Sequence, residues 1–292
     1  MKERFQDIDL RGARLAAAES ADAILNEYAA GGWILTLRQL YYQFVARGLL
    51  ANTERNYKWL GSVVNDGRLA GLLDWDHMTD RTRTCRTVTT WDSPQDIIHA
   101  AIDSYRIDLW KNQPYRIEVW VEKDALIDVV GRAAKMWQLP YFSCRGYCSQ
   151  SAMRDAAHRI ETYIDEGQDP CILYFGDHDP SGIDMGRDIQ DRLRMFLHDP
   201  PLQFFRLALT MEQIEQYSPP PNPAKLSDSR CQGYIANYGD ESWELDALEP
   251  DTIVSLITEK VDELKDPDLW EEMVAVQDRD LKKLKQLLGR LK

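Results

Sequence analysis

Hydrophobic residues recur along the chain with two different periods, and the change between them falls near Pro114. Ahead of it the spacing is helical. Residues 8–29 are Ala-rich and run into Gly31-Gly32, a helix stop. Leu37, Leu40, Tyr41, Phe44 and Val45 fall at i, i+3, i+4, i+7 and i+8, which predicts a helix from Thr36 to Arg47 closed by Gly48. A third helix begins after Asn52-Thr53, either of which can cap it, and reaches about Leu73. Residues 94–113 predict a fourth, with Ile97, Ile98, Ala101 and Tyr105 on one side. Beyond Pro114, strand-like runs alternate with helical ones. Strands are expected at Arg116–Val121, Pro140–Cys144, Cys171–Gly176 and Gln203–Leu209, and helices at Asp124–Trp137, Ser151–Glu166 and Ser181–Leu197. Cys171–Gly176 is apolar almost throughout, as a strand covered on both faces requires. The alternation predicts an α/β unit with a mostly parallel sheet.

Three short helices followed by the basic, Thr-rich stretch Arg81 to Thr90 predict a helix-turn-helix or winged-helix domain over residues 31–95, preceded by an N-terminal helix within residues 1–30. Residues 96–113 connect it to the α/β domain at 114–215. Thr210 to Gln213 is a capping-box pattern opening a short helix, and Ser218–Pro223 (SPPPNP) predicts a stiff extended linker. Residues 216–292 are then a helical C-terminal extension. Charge sharpens this division. Of the net −13, residues 240–280 carry almost all, with 15 Asp/Glu against 3 Lys/Arg, whereas residues 31–95 hold 8 basic and 6 acidic residues. The acidity is local and leaves a nucleic-acid partner open elsewhere. Trp243, Leu245, Leu248, Ile253, Leu256 and Ile257 are spaced to pack part of the acidic extension on the α/β domain, with its carboxylates outward and away from DNA. No apolar run approaches a membrane span or a signal-peptide core, and five cysteines do not make a disulfide framework, so a reduced, cytoplasmic protein is expected.

Candidate chemistry concentrates in LYFGDHDPSGIDM, residues 173–185. An apolar strand delivers Asp177 and Asp179 at its carboxyl end, and residues two apart in an extended chain face one side. Hard carboxylate oxygens aimed at one point suit Mg²⁺, with Mn²⁺ as a substitute. An Asp-Pro turn with no further role reads equally well from these residues alone. Glu122 ends another strand, in EVWVEKDAL, and converges on the aspartates if the two strands are neighbours. His178, between the aspartates, should point away and support them. Cys144 and Cys148 have no second cysteine pair for zinc.

VEKDAL, then RGYCSQSAMRD at 145–155, then GDHDPSGID, occur in an order that resembles the topoisomerase VI A subunit and the related meiotic double-strand-break proteins, whose Toprim domain follows a winged helix. The resemblance spans about residues 30–215 and is nearest to shortened, stand-alone bacterial or phage-type homologues. It implies Mg²⁺ held by Glu122, Asp177 and Asp179. It also implies a nucleophilic tyrosine in a motif like R-[DE]-[ILV]-[YF]-Y, which Arg38-Gln39-Leu40-Tyr41-Tyr42 matches except at Gln39. Tyr41 lies on the apolar stripe and belongs to the core. Tyr42 falls off it, one turn from Arg38, and reads as an exposed tyrosine able to attack a phosphodiester while Arg38 stabilises the charge on phosphate. The family further implies a homodimer in which the tyrosine of one subunit meets the metal site of the other, and a separate ATPase B-type subunit, since the chain has no ATPase motif.

The resulting expectation is Mg-dependent DNA strand cleavage by tyrosine transesterification. Two alternatives stand beside it: a Toprim nuclease using metal-activated water, and a DNA-binding or regulatory homologue that does not turn over. Phosphate contacts are expected from Arg55 and Lys58, which share a helix face with Ser62 and Asn65, and from Arg81, Arg83 and Arg86.

Overall fold

Strand β1 (Tyr115–Val121) sends Ile117, Val119 and Val121 to one side and Glu118 and Trp120 to the other, and all five are buried. A strand with both faces covered needs a layer of helix on each side, and the chain supplies them. In the computed structural model, which describes residues 1–79, 88–198 and 200–290, β1 is joined by β2 (Tyr141–Ser143), β3 (Asp169–Phe175) and β4 (Gln203–Ala208) in a four-stranded, wholly parallel sheet of order β2-β1-β3-β4. The protein is thus an α/β fold, and all four strands fall where the alternating pattern puts them.

One face of the sheet packs on α5 (Ile127–Met136) and α10 (Pro250–Leu264). There Val119, Val121, Leu173 and Phe175 meet Val130, Ala133, Ile253 and Ile257. The other face carries α6 (Gln150–Asp165) and α7 (Pro180–Leu197), with Trp120, Ile172 and Tyr174 against Met153, Ile160, Ile189 and Leu193. Glu118 faces this second layer, 2% exposed. Its carboxylate takes hydrogen bonds from Arg159 at 2.7 and 2.9 Å, from Trp120 Nε1 at 2.9 Å and from the Tyr163 hydroxyl at 3.0 Å. A buried carboxylate so fully partnered holds α6 to the sheet at little cost.

The N-terminal part is helical. α1 (Gly12–Ala30), α2 (Leu37–Ala46) and α3 (Glu54–Leu69) pack on one another through Leu25, Leu40, Phe44, Leu60 and Val63. The Thr36 and Thr53 side chains cap α2 and α3. The described residues include no wing hairpin. Arg81, Arg83 and Arg86 lie outside the described residues. α4 (Pro94–Ser104) ends nine residues before the expected 113, and packs against the long C-terminal α11 (Pro267–Arg290). No helix among the described residues is long and apolar enough to cross a membrane.

The structure corrects the view of residues 216–292 as an appendage. After α8 (Met211–Tyr217), Asn222–Pro223 of the proline stretch forms β5, paired antiparallel with β6 (Glu241–Ser242) across α9 (Cys231–Tyr238). α10 is a full layer of the α/β core. Of the carboxylates expected to face outward, Asp246 is buried, whereas Glu249 and Asp251 stay exposed yet reach back to the N-terminal helices. Glu249 accepts hydrogen bonds from Tyr28 and, at 3.0 Å, from Gln43, and Asp251 accepts one from Trp33 Nε1 at 3.1 Å. The acidic segment therefore fastens the helical unit to the α/β unit.

Candidate functional site

β1 and β3 run side by side to their carboxyl ends, where Val121 is level with Phe175. From β1 the chain proceeds to β2 on one side, and from β3 to β4 on the other. The crevice between β1 and β3 is therefore where an open α/β sheet offers a site. Glu122 and the Gly176–Asp179 turn emerge into it, and the backbone N–H of Asp177 donates to Glu122 Oε2 at 2.9 Å. The predicted convergence of Glu122 on Asp177 thus occurs, because their strands are neighbours.

The turn is held from below by a residue that sequence reasoning missed. Arg206, from β4, donates to the carbonyl oxygens of Asp177, Gly176 (3.1 Å), Gly182 (3.2 Å) and Leu209 (3.2 Å). The one charged side chain in the run QFFRLA was the available signal. From above, α7 approaches so closely that a Cβ on Gly182 would lie 2.3 Å from the Asp177 carbonyl oxygen, which only glycine permits.

The three acids occupy different environments. Asp179 is the N-cap of α7, its Oδ1 accepting from Gly182 N–H at 2.6 Å and from Ser181 Oγ at 3.0 Å. Asp177 is buried, with Oδ2 2.8 Å from the Lys123 ammonium and Oδ1 accepting the Leu245 N–H at 2.8 Å. Burial pushes its carboxyl above the ordinary range against the pull of Lys123. Glu122 is raised too, by burial and then by the charge of Asp177. Carboxylate oxygens are the right donors for Mg²⁺, but no group of three His, Cys, Asp or Glu among the described residues is placed to hold a metal. Asp179 is engaged as a cap and a cation already sits against Asp177. As arranged here, Glu122, Asp177 and Asp179 do not fit a divalent ion, and no step below depends on one.

Lys123 is the centre of the site. Beyond Asp177, its ammonium contacts Glu244 at 2.8 Å and Asp246 at 2.7 Å. Burial would lower its pKa, and the three carboxylates together raise it well above the usual value. Glu244 and Asp246 come from the stretch after β6, and no motif marks them in the sequence. That stretch is laid over the Asp177–Asp179 turn by His178. The His178 and Trp243 backbones exchange hydrogen bonds at 2.9 Å each way, and the His178 ring is buried, 2.7 Å from the Tyr234 hydroxyl. His178 does point away from the aspartates, as expected, and its work is to dock Trp243. Burial lowers its pKa to about 4, so it is neutral at neutral pH.

Tyr42 departs from expectation. It is 3% exposed and not open to solvent. Asn222 Nδ2 donates to its hydroxyl at 3.4 Å, and Glu244 interacts with the same hydroxyl. Burial, followed by the Glu244 charge, holds the phenol well above its usual pKa. The helical wheel did place Tyr42 off the core stripe; what it could not contain is that β5 and Glu244 cover that face. Arg38 remains about half exposed and grips Glu244 with two nitrogens, Nε at 3.2 Å and Nη2 at 3.3 Å. Tyr41 is core, as expected, with its hydroxyl donating to the Thr53 carbonyl at 2.9 Å. The residues expected from two separate subunits are thus linked within one chain: Tyr42 and Arg38 to Glu244, Glu244 to Lys123, and Lys123 to Asp177.

Arg55 and Lys58 lie on the exposed face of α3 with Ser62 and Asn65, and Lys58 pairs with Glu54 at 2.7 Å. The adjoining side of α3, which shares Asn65 with that face, borders a cleft of about 470 Å³ that runs past Arg38 to Asp124, beside the sheet crevice. Together these features define an α/β protein with a charged site at the sheet's switch point and a helical unit against it. No protein-family model matches the chain, and no curated protein does.

Proposed function

We propose that the protein binds DNA and cleaves a strand by transesterification through Tyr42. One observation carries this reading: the tyrosine and arginine of α2 and the acids at the ends of β1 and β3, at least 80 residues apart in sequence, meet in one continuous polar cluster. In the reaction, the Tyr42 oxygen bonds to phosphorus, the bond from phosphorus to a sugar oxygen breaks, and the phenolic proton ends on the departing alkoxide. Arg38 steadies the phosphate charge in transit. The resemblance implies Mg²⁺ held by Glu122, Asp177 and Asp179, but as arranged these residues do not fit the ion, and the step uses none. Calorimetry is accordingly expected to show the same Mg²⁺ heat in the wild type as in the triple alanine variant, and a heat that the variant loses would return the metal to this proposal.

The test is capture of a covalent protein–DNA adduct in Mg²⁺ buffer. Tyr42→Phe is expected to abolish the adduct and the cleavage together. The burial of Tyr42 favours a second reading, a nuclease in which water is the nucleophile, and under that reading Tyr42→Phe still cuts.

DNA should lie along the exposed face of α3. Arg55→Ala combined with Lys58→Ala is expected to weaken binding to all duplex sequences alike. The slope of log K against log salt should fall by roughly 1–2, because each phosphate that is no longer neutralised keeps about one counterion condensed on the DNA. An unchanged slope would place the DNA on another surface.

A further inference from the structure

Glu244 has the surroundings of a bound phosphate. Its carboxylate is forked by Arg38 Nε and Nη2 at 3.2 and 3.3 Å, touched by Lys123 Nζ at 2.8 Å and set against the Tyr42 hydroxyl. Arg in a two-pronged grip, a lysine and a hydroxyl donor are the groups that recognise a phosphodiester anion. We infer that Arg38, Lys123 and Tyr42 form a phosphodiester site that the chain's own Glu244 occupies as a stand-in, so that DNA phosphate must displace Glu244 to reach Tyr42. The inference rests on the DNA-cleaving reading above and adds a built-in gate to it.

Glu244 is poorly suited to the other role its position suggests, that of a base for Tyr42. Burial alone would raise its carboxyl, but Lys123 and Arg38 outweigh that and hold it below the ordinary value, while the phenol beside it is held high. A proton has no tendency to pass from that phenol to that carboxylate. The contact secures the resting state.

Burial also decides what moves. Lifting the whole stretch would expose the apolar side chains of Trp243 and Leu245, now 6% and 0% exposed, and would break the His178–Trp243 pairing. Swinging only the Glu244 side chain leaves those contacts intact. Its partner Arg38 is half exposed, so that pair is screened by solvent and easily broken. Lys123 keeps Asp177 and Asp246 as partners after the swing. The gate is therefore a side-chain rotation that frees the Arg38 guanidinium and opens the Glu244 side of the Tyr42 hydroxyl, with Asn222 still donating to it.

The experiment is fluorescence anisotropy with a labelled short DNA duplex, without divalent cation and at fixed ionic strength. Glu244→Gln keeps the shape and Glu244→Ala removes it; Glu241→Gln, at an exposed neighbouring position, removes the same charge without touching Arg38. Glu244→Gln is expected to bind duplex about tenfold tighter than the wild type, equivalent to about 1.4 kcal/mol, and Glu241→Gln less than about twofold. Adding Arg38→Ala should erase the gain. Equal effects of Glu241→Gln and Glu244→Gln, a gain that survives Arg38→Ala, or no gain from Glu244→Gln would each overturn the inference. Thermal unfolding confirms that Glu244→Gln is folded, and if Glu244→Ala fails to fold the isosteric variant decides alone. The two readings fail separately: adduct formation by the wild type with unchanged Glu244→Gln affinity ends the gate and keeps the transesterase, whereas tighter duplex binding without any adduct keeps the anion site and ends the transesterase.

Discussion

Replacing Lys123 with methionine is expected to destabilise the protein by about 3–5 kcal/mol, the range for removing one partner of a buried ion pair. Asp177 and Asp246 are 5% and 3% exposed; Asp246 rests on this ammonium, and Asp177 has only the Leu245 N–H beside it. One oxygen of Asp246 already has no hydrogen-bond partner, so no second donor is in place to take over. Methionine conserves much of the volume, and the loss therefore reports charge more than packing. The deficit also has a predictable pH dependence. Without the cation, the folded-state pKa of Asp177, already raised by burial, rises further above its unfolded value. Such a group binds protons more tightly when folded, so the variant loses ground against the wild type as pH rises, and the deficit should be smaller at about pH 5 than at about pH 8. Asp246→Asn in the same chain should restore at least about 1 kcal/mol, because the two sites share a contact and cannot be additive. Urea midpoints for the four members of this cycle provide the check; a Lys123→Met loss below about 1 kcal/mol would mean that the site is more hydrated than its burial indicates.

Truncating the chain after Gly239 is expected to abolish cooperative folding altogether. The sequence alone suggested a milder outcome, in which losing residues 240–292 damages solubility or assembly and spares the DNA contacts. α10 changes that expectation. Ile253, Ile257 and Val261 are fully buried against α5 and the sheet, and at about 1.5–3 kcal/mol each they account for a burial term comparable to the whole stability of a typical domain. Truncation would also leave Val119 and Leu173 facing water on one side of a parallel sheet, a state such sheets do not tolerate. Calorimetry or near-ultraviolet dichroism on the truncated chain reads the result directly. A sharp transition within a few degrees of the full-length protein would show that α10 is dispensable.

What could be read from the chain was whatever depends on near neighbours. The period of two in Ile117, Val119 and Val121, and the unbroken apolar run at Cys171–Phe175, are local consequences of a strand lying between two helical layers, so the parallel sheet was legible. The caps at Thr53 and Thr210 depend on residues three positions away and were legible for the same reason. Glu122, Asp177 and Asp179 stood out because strand ends and turns advertise polar residues against an apolar background. Even their convergence needed only one tertiary fact, that β1 and β3 are adjacent.

The tertiary structure alone decided what lies over those acids. Lys123 looks like the ordinary start of a helix, and Glu244 and Asp246 look like two more charges in an acidic run of 15. Their pairing joins positions separated by more than 120 residues, and no period or motif encodes it. For the same reason Tyr42 read as exposed: a helical wheel counts only the helix's own residues, while the groups that bury Tyr42, Asn222 and Glu244, arrive from the far end of the chain. A side chain's chemistry is written in its own residue, but its burial, its charge partner and its freedom to react are set by whatever distant segment the fold brings against it. Here that segment is the acidic stretch, whose apolar spacing announced that it packs on the α/β domain but not which of its carboxylates would meet Lys123, Arg38 and Tyr42.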